Sequence, residues 1–259
     1  MTLITPYALP FQVMYQQELV AEERNVTVRI VLRDVVSEAA TRTLAATVLP
    51  FLMLATSGAL AGESIRPWTS TIKSWRDPIA HGPTIEWFLT SVSCDLKAWV
   101  MLAHMLMADH KTHTIERVEI VDAQHPHQMI DVLTGRSTID PYPKRWAGID
   151  FPIDFHRDIE KNFSVYVTFA RELSAADKES IAEEFFAWAP GLMCGAYGVA
   201  PVPPERCTGF PDEEIVFVDN ELEWPIRNFK AHTAAIEGLI NVLASVSEKI
   251  VRVTELRVD

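Results

Sequence analysis

Glu86-Trp87-Phe88-Leu89 opens a stretch that runs to Asp122, and the chain carries that stretch twice. A shift of 137 residues places Glu86-Trp87 on Glu223-Trp224, and Ala98, Leu102 and Leu106 on Ala235, Leu239 and Leu243. The closing Val118-Glu-Ile-Val-Asp122 is answered by Leu256-Arg-Val-Asp259 with one residue of slip. Self-similarity at a fixed offset marks one supersecondary unit used more than once.

Upstream, Asn25-Val-Thr-Val-Arg-Ile-Val-Leu32 alternates with period two, and so does Asn162-Phe-Ser-Val-Tyr-Val-Thr-Phe169 in the same phase. Such alternation predicts a strand with one buried face in each half. A helix should follow each strand. Ser174 with Asp177 three residues on is a capping signal, and Ser37 holds the matching place in the first half. Both helices are expected to break near a proline, Pro50 or Pro190, and to reach Ser57-Gly58-Ala59 or Cys194-Gly195-Ala196. A glycine after each helix serves a chain reversal with positive φ or close approach.

Residues 62–83 and 199–214 are the divergent parts and should hold one strand and irregular loops each. Thr84–Leu89 reads as a strand, and Ile215–Val218 with Leu222–Trp224 as two short strands around a turn at Asp219-Asn220. Apolar faces follow at helical spacing on 96–107 and 236–246, and alternating strands close each half. Ile4-Thr-Pro-Tyr7 and Ile139-Asp-Pro-Tyr142 read as extended lead-in segments.

The order strand, helix, two strands, helix, strand is that of the split βαβ, ferredoxin-like unit. The expected fold is therefore α+β: two tandem diverged ferredoxin-like (βαββαβ) repeats, 1–122 and 138–259, joined by a linker at 123–137. The two copies should form one pseudo-symmetric unit, back to back or as a continuous sheet.

With 259 residues, 48% apolar and 22% charged, the chain has the balance of a globular protein. Its formal net charge of -12 argues against a nucleic-acid partner and suits a basic protein. Cys94, Cys194 and Cys207 show no CxxC or ligand spacing, so a reducing, cytoplasmic setting is expected. The N-terminus lacks signal-peptide features, and Leu44–Leu60 is too short and broken for a membrane span.

Glu86, Trp87, Glu223 and Trp224 could flank a ligand cleft between the copies, where paired carboxylates divide acid and base roles. The competing reading makes each Trp a core residue with its Glu on the opposite sheet face. His104, Asp109, His110 and His113 form the densest metal-ligating group, but their spacing matches no zinc motif, and no metal is expected. Cys194 follows a helix C-terminus, which disfavours a thiolate. Hydrolase, NTPase and dinucleotide signatures are absent, so no cofactor is expected and a non-catalytic role is favoured.

Trp68, Trp75 and Trp146 fall in proline-rich or loop segments. Arg66, Trp68, Trp75 and Arg76 make a locally basic, aromatic stretch in an acidic chain, which is the expected partner-binding region. An inhibitor or immunity-type protein for a basic partner fits these features; a small-ligand-binding protein or enzyme is the alternative. Self-association is compatible with either.

Overall fold

The computed structural model describes residues 7–16, 23–62, 66–69, 71–94, 96–126, 131–133, 136–137, 145–155, 162–197, 215–227, 229 and 231–259. Among the described residues the fold is α+β, with four α-helices, two mixed sheets and a separate two-stranded antiparallel pair. In the first half, β3 (Arg24–Leu32) leads to α1 (Glu38–Thr56), the short edge strands β4 (Ser74–Trp75) and β5 (Ile79–His81), β6 (Thr84–Val92), α2 (Leu96–His110) and β7 (Ile115–Asp122). In the second, β11 (Phe163–Phe169) leads to α3 (Ala175–Met193), β12 (Val216–Val218), β13 (Glu221–Ile226), α4 (Ala234–Lys249) and β14 (Val253–Val258).

The strand registers agree between the halves. Val28 pairs with Trp87 and Val165 with Trp224; Arg29 pairs with Glu86 and Tyr166 with Glu223. On the other flank, Val28 pairs with Ile120 and Val165 with Val258, the one-residue slip read from the closing strands. Both central strands keep the expected phase, burying Val26, Val28 and Ile30 or Phe163, Val165 and Val167.

Each sheet gains a parallel strand beyond its closing strand: β2 (Gln12–Tyr15) beside β7 and β10 (Ile153–Phe155) beside β14. Phe11 and Phe151 precede these strands and are both buried. The structural lead-ins are thus 11–13 and 151–153. Of the segments expected for that role, 4–6 and 139–142 lie outside the described residues, and Tyr7 begins β1 (Tyr7–Ala8). β1 pairs with β9 (Arg136–Ser137), and β8 (Asp131–Leu133) pairs with β2. Part of 123–137, expected as a linker, is therefore an edge of the first sheet.

Ser37 caps α1 by accepting the Ala40 amide, and Ser174 caps α3 in a complete capping box with Asp177. Asp177 is held well below the usual carboxylate range, first by the Arg171 guanidinium and then by Ser174. Both helices run through their prolines instead of breaking there. Pro50 removes the amide that would bond the Ala46 carbonyl. The Cys194 thiol donates to that carbonyl from the other half at 3.6 Å. Gly58 and Gly195 take φ of +85° and +86° after the two helices, and the amides of Ala59 and Ala196 bond back to Leu54 and Gly191.

The halves meet through their helices, and one hydrophobic cluster spans both. The contact pairs α1 with α3 and α4 with the 3-10 turn Pro67–Thr69. α4 buries an almost unbroken run from Ala234 to Val246, so it cannot face water on any long side. α1 is long and apolar enough to cross a membrane and is half buried; its apolarity serves packing on α2 and on α3. Leu54 of α1 sits against Gly191 of α3, where a Cβ would lie 2.1 Å from Leu54 Cδ1. These two positions are 137 residues apart, the offset that relates the two halves, so the helices meet at equivalent points. The Asn241 side chain ties the halves further, donating to the Ala61 carbonyl and accepting from the Trp146 amide, both at 2.8 Å.

Candidate functional site

Strand alternation separates the two members of each Glu-Trp pair. Trp87 and Trp224 are both 2% exposed on the helix-facing side of different sheets. Trp224 packs edge-on against Phe185 and Trp188 of α3, with centroids 5.2 and 5.8 Å away. Glu86 and Glu223 lie on the outer faces. There Glu86, Arg29 and Glu119 form a row across three strands, with Arg29 Nε 2.5 Å from Glu86 and its terminal nitrogen 3.7 Å from Glu119. The matching row is Glu223, Tyr166 and Arg257: the phenol donates to Glu223 at 3.1 Å, and the guanidinium sits 4.4 Å over the ring. The polarity of these rows explains why the helical faces, and not the sheets, meet at the centre.

The predicted contact stretch divides between the 3-10 turn packed on α4 and one edge of the first sheet. Arg66 is exposed ahead of the 3-10 turn that contains Trp68, whose side chain lies outside the described residues. Trp75 is half-buried on β4, packing against the core, and Arg76 is exposed with its guanidinium 5.2 Å over the Phe88 ring. Collinear with β4 along β6 is β5, whose Ile79 is 67% exposed. Its equivalent in the second half is Val216, which pairs with Glu223 as Ile79 pairs with Glu86. The strand registers thus put Arg76 and Ile79 on the outer face of this edge, beside Phe88 and Glu86, and turn Trp75, opposite Leu89, toward the core; periodicity alone does not single out Ile79.

The histidines have separate surroundings. His104 is buried in α2, and burial lowers its pKa from 6.5 to about 4. His110 Nδ1 accepts the Ile115 amide at 3.2 Å, and Ser247 Oγ accepts the Val253 amide at 3.1 Å in the matching place. This ring is a capping group, which explains how Ser can replace it. Burial pushes the Asp109 carboxyl up against the opposing effects of Thr47 and His113. His113 itself follows the turn that closes α2, its amide bonded to the Asp109 carbonyl. Among the described residues no group of three His, Cys, Asp or Glu side chains could hold a metal ion. The Cys94 thiol is buried and donates to the Thr71 carbonyl at 3.5 Å; Cys207 lies outside the described residues.

The low His104 pKa gives a testable pH dependence. The folded value is below the unfolded one, so the unfolded chain takes up the proton first as pH falls. This contribution is full above pH 6.5 and is lost down to about pH 4. The loss is on the order of 3 kcal/mol from a shift of this size. Urea midpoints across this range should fall more steeply for the native chain than for His104→Asn, which carries the residue of position 241.

One polar cluster escaped the sequence reading, which saw Asp122 only as the end of a strand. The Asp122 side chain accepts the amides of Gln124 at 2.7 Å and His125 at 3.2 Å, and meets Arg24 at 3.1 Å. Burial raises its pKa, but these partners outweigh it and hold the carboxyl below the usual range. His125 Nδ1 is 3.7 Å from the same carboxylate. With Asn25 and with Ser91 at φ +50°, these groups border a cavity of about 260 Å3. The spacing Asp-x-x-His is their only local signal, and the Arg24 partner is 98 residues away. No family model matches the chain, and no curated protein matches it.

Proposed function

We propose that this protein is a non-catalytic, cytoplasmic protein-binding module made of two diverged ferredoxin-like copies, acting as an inhibitor or immunity-type partner of a basic protein. Support for the copies comes from the agreeing strand registers and from helix caps, αL glycines and strand-start bonds that recur 137 to 138 residues apart. The observation that carries the binding role is Ile79, 67% exposed on an edge strand beside Trp75 and Arg76. An exposed apolar residue sharing a sheet face with an arginine on an aromatic ring resembles the composition of interface centres. The formal charge of -12 would favour encounter with a basic partner over the molecule as a whole. The ligand-cleft alternative has less support, because Glu86 and Trp87 lie on opposite faces of one sheet, as do Glu223 and Trp224.

Affinity capture from the source cells tests the proposal. The native chain should retain one basic protein, less of it as ionic strength rises. Arg76→Ala and Trp75→Ala should each weaken retention by roughly tenfold, the loss of a typical interface anchor. Retention of no specific protein, or undiminished retention by both variants, would refute the role.

A further inference from the structure

Two cavities occupy equivalent places in the halves. The first, of about 630 Å3, lies between the lead-in segment 9–12, the end of α2 and the start of β7. The second, of about 380 Å3, lies between 146–150, the end of α4 and the residue before β14. Their frames coincide bond for bond. Arg33 N donates to Thr114 O at 2.9 Å, and Ala170 N donates to Arg252 O at 2.9 Å. The His110 and Ser247 bonds to the opening strand complete the match.

The linings differ in charge. The first cavity is bordered by Arg33, Arg117 and Glu116, with His110 beside them. At the matching positions the second half has Ala170, Glu255, Thr254 and Ser247. Its own cavity is bordered instead by Asp150, Glu248 and Arg252. One frame thus carries an excess of cations in the first half and of carboxylates in the second. Shared structure needs only the frame, so the cationic lining is not a requirement of folding.

We propose that the first cavity binds a small organic anion, a carboxylate or phosphate carried on an apolar body, through Arg33, Arg117 and His110. Its volume is within the range of small-molecule sites. Arg33 approaches Glu116 by Nε at 3.8 Å, and Arg117 bonds Glu119 by Nε at 2.6 Å. The terminal nitrogens of both guanidiniums remain for planar, bidentate contact with an anion. His110 accepts at Nδ1, which places the proton of its neutral ring on Nε2 as a further donor. Leu9, Phe11 and Ile115 supply apolar wall. Glu116, Glu119 and the C-terminus of α2 offset the two guanidinium charges, so directed contacts from the terminal N–H groups, and not net charge, hold the anion.

Titration calorimetry with inorganic phosphate and with benzoate tests the site on the full chain. At least one should bind saturably with one equivalent; phosphate preference identifies a phosphorylated ligand, and benzoate preference a carboxylate. Arg33→Ala and Arg117→Gln should each weaken binding roughly tenfold, the loss of one charge-assisted contact. Arg252→Ala, in the second cavity, should leave it unchanged. Both first-cavity arginines are substantially exposed, so the variants should fold, as thermal melts will verify. Failure of both probes to saturate, no effect of either first-cavity substitution, or an equal loss with Arg252→Ala would each overturn the proposal.

Discussion

Gly191→Leu is expected to destabilise the protein by about 3 kcal/mol, the upper end of ordinary overpacking costs. A leucine has no room there. Even a Cβ would meet Leu54 Cδ1 at 2.1 Å and Leu54 Cγ at 2.6 Å, and Leu54 is fully buried between α1 and α3. Removing helical glycine contributes up to about 1 kcal/mol in the opposite direction, too little to reverse the sign. Leu54→Ala alone should also destabilise, by about 2–5 kcal/mol through its cavity. Combined, the two changes exchange a large and a small residue between equivalent positions. Their costs should be non-additive by more than about 1 kcal/mol in the favourable direction, read from urea midpoints of all four proteins.

Trp188→Ala should cost about 3–5 kcal/mol, as large core truncations do. Trp188 is completely buried, packs on Trp224, and donates its indole N–H to the Ala235 carbonyl at 3.1 Å. Trp188→Phe separates the terms. It keeps most of the volume but loses the indole bond to a carbonyl that α4 also pairs within the helix, so about 1 kcal/mol of loss should remain. The equivalent position already holds Phe51, which packs tilted against Trp99 with centroids 5.7 Å apart. Chemical denaturation of both variants checks the ranking.

These sites show which parts of the fold were legible in the sequence. Period-two alternation in 25–32 and 162–169 fixed face and phase, and the offset between them carried over to the pairing of Trp87 and Trp224. Ser37, Ser174, Gly58 and Gly195 were readable because caps are local chemistry. The prolines misled because a helix can keep Pro50 when a thiol from the other half occupies the stranded carbonyl, and no local rule contains that partner. Strands β2, β8 and β10 are three or four residues long, too short for periodicity to register. How the halves meet was undetermined for a related reason: apolar faces on 96–107 and 236–246 give the direction of the core but not what lies beyond it.

The site was legible only in part. Trp75 and Arg76 stood out by composition, whereas Ile79 gained meaning when β5 proved to be an exposed edge. His110 looked like a ligand in sequence because its true partner, the Ile115 amide, is visible only once the turn is closed. Residues at equivalent positions in the halves hold the fold together, and the halves differ in the charge that lines one cavity.

The most direct measurement compares two equivalent edge substitutions in the capture assay, Ile79→Asp in the first half and Val216→Asp in the second. Both residues are exposed, at 67% and 48%, so neither change should disturb the core. The account predicts that Ile79→Asp abolishes retention of the basic partner while Val216→Asp leaves it intact. Full retention by Ile79→Asp, or equal loss from both, would contradict it.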